Sequence, residues 1–174
     1  MKSTIKFGLI TGVISGIFLF GYFSLGVWLN TKYNWGMQTE NIRGVGGLIS
    51  IPIQAIGIYL AMQNVKKLTG VLTYLQAIKT GLLVAVTVAI IIALFSFFYC
   101  RFINPGFAEY MVKDALKAMV ASGESQQQIN QDLVSVAKQF TTSAQVMEAL
   151  VGQFGTGLII SLILGLFAKT KKAA

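Results

Sequence analysis

Four long apolar runs alternate with shorter polar stretches and predict four membrane-spanning helices. The first run has about 23 residues, or about 35 Å at helical rise, which is enough to cross the hydrocarbon layer of a bilayer. Lys2 and Lys6 precede it. The run is too long for the apolar region of a signal peptide and no small-x-small cleavage site follows, so we interpret it as an uncleaved span. The predicted spans are about 7–29, 45–62, 75–99 and 147–168.

The segment 107–146, between spans three and four, predicts an amphipathic helical hairpin. Its apolar residues recur at spacings of three and four, which is the period of a helix with one buried face. The two apolar stripes consist of Phe107, Met111, Ala115, Ala118 and Met119, and then of Ile129, Leu133, Val136 and Phe140. Residues 122–124 interrupt the pattern and predict the turn between the two helices.

Turn and capping residues mark the predicted helix boundaries. Asn104, Pro105 and Gly106 predict a break after the third span, because proline disfavours helix in the preceding residue and glycine tolerates a turn. Polar connections are predicted at 30–43, where Trp35 would lie at the headgroup level, and at 64–73. Two capping boxes are predicted in or next to the hairpin segment, Ser125 with Gln128 and Thr142 with Gln145.

Composition favours lipid over water as the surroundings of the helices. Hydrophobic residues make up 55% of the chain and charged residues 11%, against about a quarter charged in soluble domains. A soluble domain with so little charge would lack the polar surface needed to cover itself. The predicted fold is therefore all-α, a polytopic membrane protein with four transmembrane helices.

The net charge of +8 falls on one side of this topology. The excess comes from lysines at the chain ends and beside the second connection, namely Lys2, Lys6, Lys66, Lys67, Lys79, Lys169, Lys171 and Lys172. On the other side the remaining cations balance the six acidic residues. The positive-inside rule then predicts cytoplasmic termini and an extracytoplasmic hairpin, in a bacterial inner membrane. We expect the lysines to contact anionic lipid headgroups and not nucleic acid, since no aromatic-interleaved basic face accompanies them.

Few side chains in the sequence could carry out chemistry. There is no histidine, the commonest general base and metal ligand, and the single cysteine, Cys100, cannot form an internal disulfide. We interpret Asp114 and Lys117 as an ion pair on a helix surface. The sequence therefore predicts no catalytic residue, no cofactor and no metal site, and we expect a protein that is not an enzyme. If exposed, Cys100 should react with an impermeant thiol reagent only from outside.

Small residues at four-residue spacing form ladders on three of the predicted spans. Such ladders make shallow grooves that let helix backbones approach closely. The ladder residues are Gly8, Gly12 and Gly16 on the first span, Ala77, Gly81, Ala85, Ala89 and Ala93 on the third, and Gly157, Ser161 and Gly165 on the fourth. We favour packing among the four helices, with homo-oligomerisation or docking to another membrane protein as the alternative.

Pro52 and Gln54 are the one candidate polar spot within the predicted spans. Pro52 cannot donate a hydrogen bond to the carbonyl of Leu48, which predicts a kink. Gln54 either forms a local hydrogen bond that repairs the kink, which we favour, or belongs to a polar path through the membrane. No acidic or basic side chain lies at the predicted hydrocarbon centres, which disfavours a proton-coupled carrier.

Several of these positions resemble one family. The segment Gly70 to Gly81, with Tyr74 and Ala77, is followed by Tyr99, by Ile103-Asn104-Pro105 and by Phe107-Ala108-Glu109; Lys6-Phe7-Gly8 with Gly12 opens the first span. This pattern is similar to the bacterial membrane family catalogued as domain of unknown function 4199. The resemblance implies four spans in a bacterial inner membrane and implies no activity, substrate or catalytic residue.

Two functions are compatible with the sequence. The leading hypothesis is a non-catalytic accessory or assembly subunit that packs with itself or with other membrane proteins. It follows from the small-residue grooves, the lack of catalytic side chains and a hairpin suited to contacts. The alternative is a small oligomeric transporter or channel whose path is lined by Pro52 and Gln54.

Overall fold

The long helices of the computed structural model coincide with the apolar runs of the sequence. The structure describes residues 2–33, 37 and 39–170, apart from the side chain of Glu40. Trp35, Lys171 and Lys172 lie outside these residues. Within them all regular structure is helical, without any strand, so the all-α prediction is confirmed. The helices are α1 (Lys2–Tyr33), α2 (Thr39–Thr69), α3 (Tyr74–Phe98), α4 (Phe107–Ala121), α5 (Gln126–Gln139) and α6 (Thr142–Ala168).

Four helical segments are long and apolar enough to cross a membrane. They are Lys2–Tyr33, Asn41–Thr69, Tyr74–Ile103 and Thr142–Ala168. The shortest has 27 residues, or about 40 Å at 1.5 Å per residue, against about 30 Å for a hydrocarbon core. The chain is therefore a multi-pass membrane protein. The predicted spans lie inside these segments, because the helical hydrogen bonds continue past the apolar residues into polar flanks.

The link between α2 and α3 is much shorter than the predicted connection at 64–73. Helix α2 continues to Thr69, so Lys66 and Lys67 belong to its last turn, where cations stabilise the helix dipole. Only residues 70–73 remain outside a helix. Gly70 has a φ of +74°, a left-handed conformation that glycine adopts without steric cost and that commonly ends helices.

Hydroxyl side chains cap three of the helix starts described. The predicted box of Ser125 and Gln128 caps α5 and is confirmed. The predicted box of Thr142 and Gln145 is wrong: Thr141 caps α6 by accepting from the backbone N–H of Ala144. Helix α6 thus begins inside the segment predicted as hairpin. The third cap is a box of Thr73 and Gln76 at the start of α3 that the sequence analysis did not identify.

A wide helical turn joins α3 to the hairpin. Residues Tyr99–Ile103 form a π-helical turn, closed by a hydrogen bond from the N–H of Asn104 to the carbonyl of Tyr99. The turn buries Tyr99 and Cys100 and leaves the next three residues exposed. The predicted break at Asn104, Pro105 and Gly106 follows it directly and is confirmed. The π-turn itself leaves no obvious trace in the hydrophobic pattern.

The predicted small-residue ladders face neighbouring helices of the same chain. A Cβ added at Gly8, Gly12 or Gly16 would lie within 3 Å of side chains on α3, and those at Gly81 and Gly157 would meet the facing ladder across the α3–α6 contact. The facing pairs are Gly8 with Thr87, Gly12 with Ile91, Gly16 with Phe95, Gly81 with Ser161, Gly157 with Ala85, and Gly165 with Tyr74 and Ala77. Ala89 and Ala93 are also buried. Helix α3 therefore lies between α1 and α6 at close backbone distance.

One end of the bundle joins three separate parts of the chain. The side chain of Asn64 donates to Ser3 at 2.7 Å, and the N–H of Thr170 donates to the carbonyl of Leu72 at 2.8 Å. The start of α1, the α2–α3 link and the end of α6 therefore lie together. This end carries the described lysines of the predicted cytoplasmic side, and the hairpin lies at the other end.

Candidate functional site

A cavity of about 490 Å³ lies between α2 and α6 in the half of the bundle nearer the hairpin. It forms where glycines face open space instead of a neighbouring helix. Gly44, Gly47 and Gly152 line it, and a Cβ at any of them would meet no atom within 4 Å. This contrasts with Gly157, one and a half turns further along α6, which is in tight contact with α3.

Polar side chains of α2 and α6 form one side of the cavity, which we call the polar wall. Its residues are Arg43, Ser50, Gln145, Glu148, Gln153 and Thr156. The sequence contains a signal for it that the analysis above missed. Polar or small residues recur at 43, 47, 50 and 54 on α2 and at 145, 148, 152 and 156 on α6, so each helix presents one such stripe.

Arg43 is the centre of a hydrogen-bonded cluster at the hairpin end of the polar wall. Its Nη2 donates to Glu148 Oε2 at 2.5 Å and to Gln145 Oε1 at 3.1 Å. Gln145 in turn donates to the carbonyl of Gln139 and to Glu148. The Arg43 guanidinium also lies 5.6 Å from the ring centroid of Phe140. The cluster therefore connects α2, α5 and α6 and neutralises the arginine beside the cavity.

Two glutamines lie deeper along the same side. Gln54 is fully buried, and its Nε2 donates at 3.0 Å to the backbone carbonyl of Gln153. The side-chain oxygens of both residues are buried, and no protein group donates to either. Buried acceptors without a donor are costly, since the group loses its hydrogen bonds to water. The structure thus places two amide oxygens with unused acceptor capacity at the inner part of the site.

Pro52 and Gln54 do not form one polar spot as predicted. Pro52 is exposed on the outer surface of α2, whereas Gln54 points into the bundle. The expected local repair of a proline kink by Gln54 is also wrong, because its amide bonds across to α6. The physical reason is geometric: residues two apart on a helix lie on opposite sides of it.

Aromatic side chains form the opposite side of the cavity, which we call the aromatic wall. It consists of Phe20 and Phe23 on α1, Tyr99 in the π-turn and Phe107 on α4. Their ring centroids lie 5.1–6.2 Å apart in tilted or edge-to-face pairs, the arrangement that aromatic quadrupoles favour. The sequence analysis assigned Tyr99 to an aromatic-ended span and Phe107 to the hairpin stripe, because their proximity depends on the π-turn.

The hairpin is anchored to the start of α2 close to this site. Asp114 Oδ2 accepts the backbone N–H of Thr39 at 2.9 Å, and the Thr39 hydroxyl lies 3.1 Å from that of Tyr110. A carboxylate at this place satisfies a free N–H and opposes the positive end of the helix dipole. Asp114 thus caps α2, and the predicted surface pair with Lys117 is wrong as an account of its role.

The charged surface of the hairpin carries one close ion pair, in which Lys113 donates to Glu109 at 2.6 Å. This hydrogen bond and the positive charge of Lys113 lower the pKa of Glu109 below its usual value. Both side chains are highly exposed, so the pair contributes little to stability. Neither residue lies at the cavity, and we assign this pair no part in the site.

Cys100 lines the cavity and is buried. Its reaction with an impermeant reagent therefore cannot report the orientation of the chain. Among the residues that the structure describes, no three His, Cys, Asp or Glu side chains are grouped so that they could hold a metal ion.

Comparison with known proteins gives one result. A family model described as "Protein of unknown function (DUF4199)" matches residues 6–170, nearly the whole chain. No curated protein and no solved structure matches the chain significantly.

Proposed function

Because the chain belongs to the DUF4199 family, whose description assigns no activity, we propose a function from the geometry: a non-catalytic membrane protein that binds a small molecule in the cavity between α2 and α6. The observation that supports this proposal most is the cavity of about 490 Å³. Small-molecule sites usually measure roughly 300–1,000 Å³ and combine apolar walls with a few polar groups. The aromatic wall and the polar wall supply these two elements.

The binding proposal can be tested by filling the cavity. Gly47→Phe places a ring in it, whereas Gly21→Phe adds the same ring to an exposed position of α1 that also has open space around it. We expect a membrane-derived small molecule to co-purify with the wild type and with the Gly21→Phe variant, and to be lost from the Gly47→Phe variant. Mass spectrometry of solvent extracts measures the retained molecule. Equal retention by all three proteins, or none, would contradict the proposal.

We also propose that the chain lies in a bacterial inner membrane with both termini in the cytoplasm. The support is the lysine distribution, which gives one end of the bundle the whole positive excess. The lysines there would contact anionic headgroups, as the sequence predicts. In this orientation the cavity lies in the extracytoplasmic half of the bundle.

Thiol labelling tests this orientation at two exposed positions. In a Cys100→Ala background, Gln127→Cys introduces a thiol in the hairpin and Val71→Cys introduces one in the α2–α3 link. We expect an impermeant maleimide to label the Gln127→Cys variant in intact spheroplasts and the Val71→Cys variant only after permeabilisation. The reverse pattern would show that the orientation is inverted.

The accessory or assembly role remains a prediction. The small-residue ladders that motivated it are occupied within the bundle. A membrane-protein partner or a second copy would therefore contact the hairpin or the lipid-facing side chains.

The transporter or channel alternative also remains a prediction. Buried apolar residues, among them Ile58, Met62 and Val84, fill the half of the bundle on the lysine-bearing side. Passage beyond the cavity would require this core to open. The geometry therefore favours binding over conduction.

A further inference from the structure

We propose that the ligand of this cavity is a neutral phenol dissolved in the membrane. Its ring packs on the aromatic wall, and its hydroxyl donates to the side-chain oxygen of Gln153. The inference rests on the proposed function, since it takes the cavity as a binding site. It adds the chemical class of the ligand, which follows from three features of the lining.

The first feature is the charge balance of the lining. Arg43 and Glu148 bear the only charges among the residues that surround the cavity, and they pair with each other at 2.5 Å. A charged ligand held deeper in the site would have no counter-ion and would lose its hydration, which is strongly unfavourable. The site therefore selects an uncharged molecule.

The second feature is the unused acceptor. Gln153 lines the cavity, and its Oε1 is buried without any protein donor; Gln54, bonded to the backbone of Gln153, has a second such oxygen. A hydroxyl of the ligand can donate to this oxygen. An ether of the same shape cannot donate, and a carboxylate would place a negative charge against the amide oxygen.

The third feature is the aromatic wall. Phe20, Phe23, Tyr99 and Phe107 make a continuous aromatic surface from three helices and the π-turn. A ring on such a surface gains stabilisation beyond that of simple apolar burial, which an aliphatic ring of similar size lacks. An aromatic ring that carries a hydroxyl combines this feature with the donor and with neutrality.

Competition binding tests the proposal directly. The full chain in lipid nanodiscs is incubated with tritiated para-hexylphenol, and bound label is measured by scintillation proximity. The competitors are para-hexylphenol, para-hexylanisole, para-hexylbenzoate, para-hexylbenzylamine and hexylcyclohexanol. We expect the phenol to compete about five- to tenfold more strongly than the anisole, the ratio that one hydrogen bond supplies. The two ions and the aliphatic alcohol should also compete more weakly.

Two matched variants identify the acceptor. Gln153→Leu removes the side-chain oxygen but keeps the backbone carbonyl that accepts from Gln54, and Gln131→Leu makes the same change on an exposed face of α5. We expect the preference for phenol over anisole to disappear in the Gln153→Leu variant and to persist in the Gln131→Leu variant. Equal binding of phenol and anisole by the wild type would overturn the inference, as would tighter binding of either ion.

The same assay separates this inference from the proposed function. If phenol and anisole bind equally, and Gly47→Phe abolishes both, the cavity binds small molecules but does not select a hydroxyl. If no probe binds saturably to the wild type, the phenol inference fails. The co-purification experiment then decides independently whether the cavity binds any other molecule.

Discussion

Replacing Gly157 by alanine should lower the free energy of unfolding by about 1–3 kcal/mol, the usual cost of overpacking a close contact. The added Cβ would lie 2.4 Å from the Cβ of Ala85 and 2.7 Å from Nε2 of Gln54. The Ala85 Cβ is attached directly to the backbone of α3, so relief requires the two helices to separate. Thermal or denaturant unfolding of the purified protein in detergent measures the loss.

Gly155→Ala is the matched control for this change. Gly155 lies on the same helix, and a Cβ there meets no atom within 4 Å. Alanine is favoured over glycine inside a helix by up to about 1 kcal/mol, so this variant should be unchanged or slightly more stable. A comparable loss in both variants would mean that α6 does not pack on α3 as described.

Replacing Arg43 by methionine should destabilise the hairpin end of the bundle by about 1–2 kcal/mol, because hydrogen bonds to charged groups are lost and Gln145 loses a buried partner. This figure is kept low because Glu148 is 51% exposed and water screens its charge. Arg101→Met removes the same charge from an exposed position and should have little effect.

Hydrogen exchange of the backbone amides localises this effect. We expect the first turns of α2 and α6 and the end of α5 to exchange faster in the Arg43→Met variant, since the cluster joins these three elements. Exchange near Ile58 and Met62, in the core at the other end, should not change. Uniformly faster exchange would indicate that Arg43 supports the whole fold and not this cluster.

The sequence predicted what depends on local pattern and missed what depends on how helices meet. The spans, the break at Pro105 and the capping box at Ser125 follow from hydropathy or from short-range residue preferences. The ladders identified contact faces on three helices, but spacing alone cannot say which helix occupies a groove. That assignment needs the three-dimensional arrangement, in which Gly157 faces Ala85.

The cavity was missed for the same reason. The polar positions on α2 and α6 occur at helical spacing, but each also fits a polar residue near a membrane interface. Only the bonds between Arg43 and Glu148 and between Gln54 and Gln153 show that the two stripes face each other. The local interpretation of Gln54 failed because its partner is 99 residues away in the chain.

The direction in which the hairpin leaves the membrane is set by a count of residues. The π-turn Tyr99–Ile103 contains one residue more per turn than a regular α-helix. Deleting a single residue there would restore α-helical winding and rotate everything that follows by about 100°. Phe107 would then leave the ring of Tyr99, and Asp114 would leave the amide of Thr39. A one-codon change would thus redirect an entire extramembrane element without altering any of its contact residues.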